Sequence, residues 1–266
     1  MEDARQIRQK RPRRAVYLFE SWPRVARRIR AASSIALFLD FDGTLTPIRR
    51  RPQDVQPLDL ATRGLLHRLA IHHRLKVFVI SGRRLVDLRS RVHAPGVHLL
   101  GLYGWEGRGT PPLRTERKLL QRAKRLLRDR LSELAGIWIE DKKLAIAVHY
   151  RGALPSEVQA ARRIVRELLE RFQPHLRLIQ EKKAWQVLPS AIGGKGSAVR
   201  KLLGERRKQR LVIFAGDDLA DESAFAALPY GITVQVGNTR RTEALFYLHN
   251  PGEVLTFLRR LEAEIT

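Results

Sequence analysis

The sequence predicts an α/β fold, a doubly wound parallel sheet carrying an inserted α+β unit. Three observations predict it. Four apolar runs each end in a small polar cluster, at Asp40, Ser81, Lys195 and Asp217. Apolar residues at helical spacing fill the interval between the first two runs, which gives a βαβ unit and so a parallel sheet. Between about residues 111 and 189 the pattern changes to a helix followed by paired short strands, stated twice.

Ile35-Ala-Leu-Phe-Leu39 is apolar without interruption, as in a strand buried on both faces. It runs into Asp40-Phe-Asp-Gly-Thr44, which places Asp40 at a carboxyl end, where open α/β sheets bind ligands. Side chains alternate along an extended chain, so Asp40 and Asp42 point the same way. Two neighbouring anions are costly unless a cation or a shared proton relieves them. A divalent metal and phosphoryl-transfer chemistry supply that relief; a solvated Asp-x-Asp-Gly turn is the plainer alternative. Leu60, Leu65, Leu66 and Leu69 predict a helix over 58–73, and Lys76–Ile80 a strand running into Ser81-Gly-Arg83. A helix over 85–92 and a strand over 97–103 follow, the latter ending in Gly104-Trp-Glu-Gly107. Gly109-Thr-Pro-Pro112 breaks the pattern and is the first candidate hinge.

The insert opens with an amphipathic helix over 119–134, its Leu119, Leu120, Leu126, Leu127 and Leu131 inward. Residues 137–141 and 144–150 read as a hairpin tied by Asp141-Lys-Lys143, 155–172 as a second helix and 176–188 as a second strand pair. From Ile192 the parallel pattern resumes. Lys195 opens a helix, Leu211–Ala215 is a strand leading into Gly216-Asp-Asp-Leu-Ala-Asp-Glu222, and Ile232–Val236 is another. A last helix spans 253–264. The expected organisation is a basic N-terminal arm and helix over 1–32, a core from 33–110 and 190–266, and a cap from 111–189.

Composition bounds the rest. With 266 residues and 44% hydrophobic content, the chain is long enough for one large domain or two modest ones with a packed core. It has no cysteine, which excludes disulfides, thiolate metal sites and cysteine nucleophiles. Its apolar runs are far too short to cross a bilayer and its charged N-terminus lacks a signal-peptide core, so a cytoplasmic, monomeric protein is expected. The net charge of +24 attracts anions such as sugar phosphates, nucleic acid or acidic membrane surfaces. The Arg-rich stretch over 1–30 reads better as a leader docked through Tyr17, Leu18, Phe19 and Trp22 than as a nucleic-acid arm, because no nucleic-acid recognition motif accompanies it.

Asp-x-Asp-Gly-Thr, then Ser81, then Lys195, then Gly216-Asp-Asp-x-x-Asp221, in that order, resembles the haloacid dehalogenase (HAD) phosphatase superfamily, whose core is Rossmann-like. The resemblance implies that Asp40 is a nucleophile that becomes an aspartyl-phosphate, and that Asp42 serves as general acid and base. It implies a Mg²⁺ ion held by Asp40, the Asp42 carbonyl and Asp217. It assigns the transferring phosphoryl group to Ser81, Gly82, Thr44 and Lys195. Asp218 and Asp221 are expected to stand behind these, one of them orienting Lys195; capping a helix is the plainer role, above all for Asp221. Thr44 is also expected to fix the turn at Gly43.

An insert between the Ser81 and Lys195 motifs matches the cap of superfamily members acting on small sugar phosphates. More narrowly, Leu102-Tyr-Gly-Trp-Glu-Gly107 and Ile139-Glu-Asp-Lys-Lys through His149-Tyr-Arg151 look like trehalose-6-phosphate phosphatases. That resemblance implies hydrolysis of trehalose 6-phosphate, with Arg83, Glu106, Glu140, Lys142, His149, Arg151, Lys183 and Gln186 as candidate sugar contacts. The chain departs from the family pattern at Glu181-Lys-Lys-Ala-Trp-Gln-Val-Leu-Pro189, where Gln186 stands for a Glu and Leu188 for an Arg. Glucosylglycerol, sucrose or mannosylglycerate phosphate are therefore alternative substrates, and a basic nucleic-acid-binding protein on the same scaffold is the reading from another class. Trp105 and Trp185 are read as packing before sugar stacking, and His72-His73 as a surface pair at a helix end.

Overall fold

The apolar run at 35–39 forms the middle of a seven-stranded, wholly parallel sheet. In chain order its strands are β1 (Val16–Tyr17), β2 (Ile35–Leu39), β3 (Leu75–Ile80), β4 (His98–Leu100), β9 (Leu211–Gly216), β10 (Ile232–Val236) and β11 (Phe246–Leu248). Four strands between β4 and β9 form a separate antiparallel sheet: β5 (Trp138–Asp141), β6 (Ile146–His149), β7 (Leu176–Glu181) and β8 (Ala184–Pro189). The computed structural model describes residues 15–49, 51–107, 109–110, 113–181, 183–204, 210–237 and 241–266. The arm over 1–14, Pro111 and Pro112 of the expected hinge, Lys182 and most of the basic stretch near 205 lie outside the described residues.

The parallel sheet runs β1-β11-β10-β9-β2-β3-β4. All five residues of β2 are buried because helices cover both faces. Ile35, Leu37 and Leu39 enter one core, with α1 (Trp22–Ala31), α2 (Leu60–Ile71), α3 (Leu85–Val92) and α8 (Pro251–Ile265). Ala36 and Phe38 enter the other, with α6 (Lys195–Leu203) and α7 (Leu219–Ala227). The period-2 alternation of one strand thus divides the hydrophobic mass between two layers, and the doubly wound α/β fold with an α+β cap is borne out.

Part of the expected arm is core. β1 pairs with β11, and Leu18, Val25 and Ile29 are fully buried. Trp22 meets Phe257 edge-on at 6.2 Å, and the Arg260 guanidinium lies over the Phe19 ring at 4.5 Å. Two boundaries also differ. Leu60 opens α2 and is exposed, because its position lies on the first turn beyond the buried face formed by Leu65, Leu66 and Leu69. The strand expected over 97–103 stops at Leu100; Leu102 and Tyr103 then take left-handed backbone (φ 44° and 58°) as their amides turn to the carbonyls of Arg83 and Ser81.

The antiparallel sheet runs β5-β6-β8-β7. Its outer face packs on α4 (Arg114–Leu131) and α5 (Pro155–Glu170) through Leu120, Leu127, Val165, Leu168 and Trp185. Ala145 and Leu188 pack instead with Leu102, Tyr103 and Ile192 of the core. The cap therefore sits over the carboxyl ends of β2 and β3. No described helix is long and apolar enough to cross a membrane.

Candidate active site

Parallel pairing aligns the ends of β9, β2 and β3, with Leu39 opposite Ala215 on one side and Val79 on the other. Asp40 leaves the end of β2 with its amide donating to Ala215 O at 2.9 Å. Its carboxylate is buried, and Oδ1 accepts from Lys195 Nζ at 2.5 Å. Lys195, the first residue of α6, also donates to Asp221 Oδ1 at 2.7 Å. Asp221 Oδ2 accepts from the Asp218 amide, and Asp218 caps α7 in a capping box. Of the two acids expected behind the site, Asp221 therefore touches the lysine while also completing the helix cap.

Carboxylate oxygens of Asp40, Asp217 and Asp221 all lie within 4.8 Å of one another. Burial drives the Asp40 carboxyl well above its ordinary range; Asp221 and Asp217 add to this and Lys195 opposes it. Burial works against the Lys195 charge, but Asp221 and Asp40 outweigh it and hold its proton more firmly than in water. Asp40, Asp217 and Asp221 thus bring buried carboxylate oxygens together, and this all-oxygen donor set suits a hard cation. The backbone also makes room. Gly43 has φ 83°, and a methyl group there would sit 2.2 Å from Asp217 Oδ2, so only glycine admits both the turn and the carboxylate. Gln235 Nε2 secures the Asp217 carbonyl at 3.0 Å.

Asp42 points into the same cavity, where Arg83 clamps it. Arg83 Nε and Nη2 donate to its two oxygens at 2.6 and 2.7 Å, while the same guanidinium holds Asp87 and the Pro52 carbonyl. Arg83 itself lines the cavity, with four of its N–H groups engaged with protein. Ser81 is buried beside them, its hydroxyl accepting from the Arg83 amide at 3.1 Å.

One cavity of about 410 Å³ joins these groups to the cap. Asp40, Asp42, Ser81, Gly82, Lys195, Asp217 and Asp218 line its floor, and Glu140, Lys142, His149, Arg151 and Lys183 its roof. His149 stacks on Trp138 (centroids 3.8 Å apart) and its Nε2 meets Glu140 Oε2 at 2.9 Å. Lys142 Nζ reaches across to the Gly82 carbonyl at 3.4 Å.

Three expected residues are placed elsewhere. Thr44 is fully buried and does not line the cavity; the turn is fixed by the Gly43 amide on Thr46 O and by the Thr46 hydroxyl on Phe41 O. Glu106 accepts from the Leu85 amide at 2.5 Å and pairs with Arg84, anchoring the start of α3. Gln186 is fully buried and does not line the cavity; it shares a face of the cap sheet with Ala184 and Glu181 and donates to Glu181, which stands at the wall. Trp185 packs inside the cap against Tyr150.

Glu181 and Tyr103 are site residues without a sequence expectation. Glu181 lines the cavity, held by the Tyr103 hydroxyl and by Gln186 Nε2. Its contact with Gln186 is diagonal, Glu181 standing opposite Ala184 and Gln186 opposite Ile179, so finding it requires the strand register to be known.

Against known proteins, the trehalose-phosphatase family model matches residues 38–247. A trehalose-phosphate phosphatase of Mycobacterium ulcerans is 32% identical over 249 residues, which is 87% of this chain; the chain spans 62% of that relative's length. Among solved structures, the C-terminal domain of Candida albicans trehalose-6-phosphate phosphatase superposes with a TM-score of 0.80 at 22% identity, over 96% of this chain and 99% of that one. The Aspergillus fumigatus trehalose-6-phosphate phosphatase gives 0.67 at 27% identity, over 94% and 99%.

Proposed function

The chain belongs to the trehalose-phosphatase family, and we propose that it hydrolyses a sugar phosphate monoester through an aspartyl-phosphate, with trehalose 6-phosphate giving trehalose and phosphate. The observation that carries this reading is the buried Lys195 ammonium on one oxygen of Asp40, with Asp217 beside them at the strand ends.

A phosphate monoester dianion repels a carboxylate, so attack depends on charge neutralisation and in-line positioning. In this reading Asp40 attacks phosphorus, the bond from phosphorus to the sugar oxygen breaks, and Asp42, carrying a proton once it leaves the Arg83 fork, gives that oxygen the proton. Water then attacks the aspartyl-phosphate, Asp42 takes the proton, and phosphate leaves with Asp40 restored. Lys195, Ser81 and Gly82 bind the phosphoryl oxygens as charge develops on them. Asp221 keeps Lys195 aimed at Asp40 and Arg83 keeps Asp42 aimed into the cavity. Asp40, Asp217 and the Asp42 carbonyl would hold Mg²⁺, which when bound neutralises charge and polarises the phosphoryl group. The cap roof supplies the sugar-facing wall and excludes bulk water.

Phosphate release tests the proposal, measured with magnesium on trehalose 6-phosphate and on glucosylglycerol, sucrose and mannosylglycerate phosphates. Turnover that prefers trehalose 6-phosphate, stops on chelation and returns with magnesium is expected. Absence of phosphate release from all four esters contradicts it.

A further inference from the structure

Two cap residues converge on one point of the core, Gly82. Lys142 arrives from the β5–β6 turn and donates to the Gly82 carbonyl. Glu181 arrives from the end of β7, and a methyl group on Gly82 would lie 2.7 Å from its Oε1 and 3.0 Å from the Tyr103 hydroxyl. The carboxylate is thus set against the backbone that follows Ser81, next to the phosphoryl site. It is fixed on both oxygens: Oε1 accepts from the Tyr103 hydroxyl, and Oε2 from Gln186 Nε2 at 2.9 Å. Tyr103 and Gln186 are both buried, so neither donor has a competing partner in water. Burial, the adjoining Glu181 charge and its hydrogen bond raise the Tyr103 hydroxyl well above its ordinary range, so it remains a donor.

One lone-pair direction remains on each Glu181 oxygen, and the residue lines the cavity. A carboxylate only accepts. Phosphoryl oxygens also only accept, so Glu181 is mismatched to the phosphate; sugar hydroxyls donate, so it matches the leaving group. Gln186, the cap-strand candidate expected from the sequence, is fully buried and donates to Glu181 instead.

We propose that Glu181 is the specificity-determining carboxylate of this chain, accepting from hydroxyls of the sugar ring nearest the phosphate, with Tyr103 and Gln186 as its positioning residues. The inference rests on the phosphatase reading above and adds the residue that selects the leaving group. A competing role for the same contacts is a simple clasp between cap and core, and the two roles separate kinetically.

The test compares kcat/KM on trehalose 6-phosphate with that on p-nitrophenyl phosphate, whose leaving group has no sugar hydroxyls, in wild type and Glu181→Gln. The amide side chain of that variant retains an acceptor for Tyr103 but loses the charge. The expected result is a KM for the sugar ester raised about ten- to a hundredfold, as for loss of a charged hydrogen-bond partner, with p-nitrophenyl phosphate turnover within about twofold of wild type. Tyr103→Phe, which frees one oxygen of Glu181, is expected to shift the same ratio in the same direction by less, and it reads the proposal if Glu181→Gln does not fold. Equal losses on both esters, or no loss on either, overturn the inference and leave the phosphatase reading standing. A wild type inactive on both esters defeats the phosphatase reading and this inference with it.

Discussion

At the scale of single residues, the central feature is that each acid of the Asp40-Phe-Asp42 pair has its own cation. Lys195 serves Asp40 and Arg83 serves Asp42, which lets two carboxylates two residues apart do different work. Arg83 holds Asp42 with a planar fork that lysine cannot imitate. Arg83→Lys is expected to lower kcat about ten- to a hundredfold, a partial loss of the ~10²–10⁴ that general acid–base catalysis contributes, while KM changes little; an unchanged kcat in steady-state assays contradicts the clamp. Glu140 yields a pH prediction. Its burial favours the neutral acid, but the His149 hydrogen bond and the Lys142 charge prevail and hold it below the ordinary value of 4.5. An acid depressed by folding contributes stability that is present above pH 4.5 and lost as pH falls through its lower folded value. Urea unfolding is therefore expected to show wild type losing stability more steeply below about pH 4.5 than Glu140→Gln, and parallel curves contradict it. Asp40, Asp42, Ser81, Lys195 and Asp217 were legible because the order of strand-end motifs gives their neighbourhood. Gln186 was not, because whether a side chain faces substrate or protein depends on partners such as Glu181, which the local pattern does not pair with it.

At the scale of elements, termini are decided by local chemistry that a sequence states openly. α2 begins at Leu60 because the Asp59 carboxylate accepts from the Thr62 amide at 2.8 Å and from its hydroxyl at 2.9 Å. Asp59→Ala is expected to cost about 1 kcal/mol, as for loss of an N-cap, seen as a lower urea midpoint with phosphatase kinetics unchanged; an unchanged midpoint contradicts it. The long apolar strands and amphipathic helices were readable from period alone. The edge strand β1 and its neighbour β11, of two and three residues, are too short to carry a period, and pairing with their neighbours is what makes them strands. α7 was hidden for another reason. Its first turn is the acidic motif itself, so Asp218 and Asp221 cap a helix and furnish the site at once.

At the scale of the whole molecule, function follows from sheet order. Placing β2 between β9 and β3 gathers segments far apart in the chain, and α6 then delivers Lys195, 155 residues beyond Asp40, from the opposite layer. The parallel sheet and inserted cap were legible from the alternation of patterns; how the cap docks was not, since the contacts at Gly82 come from two hairpin ends brought together only by the fold. This convergence gives one carboxylate the attacking role. Acid quenching during turnover of trehalose 6-phosphate carrying a radiolabelled phosphoryl group, followed by peptide mapping, tests that claim most directly. A label on the peptide containing Asp40, absent from Asp40→Asn, is the expected result; full-rate phosphate release by Asp40→Asn with no labelled peptide contradicts the account.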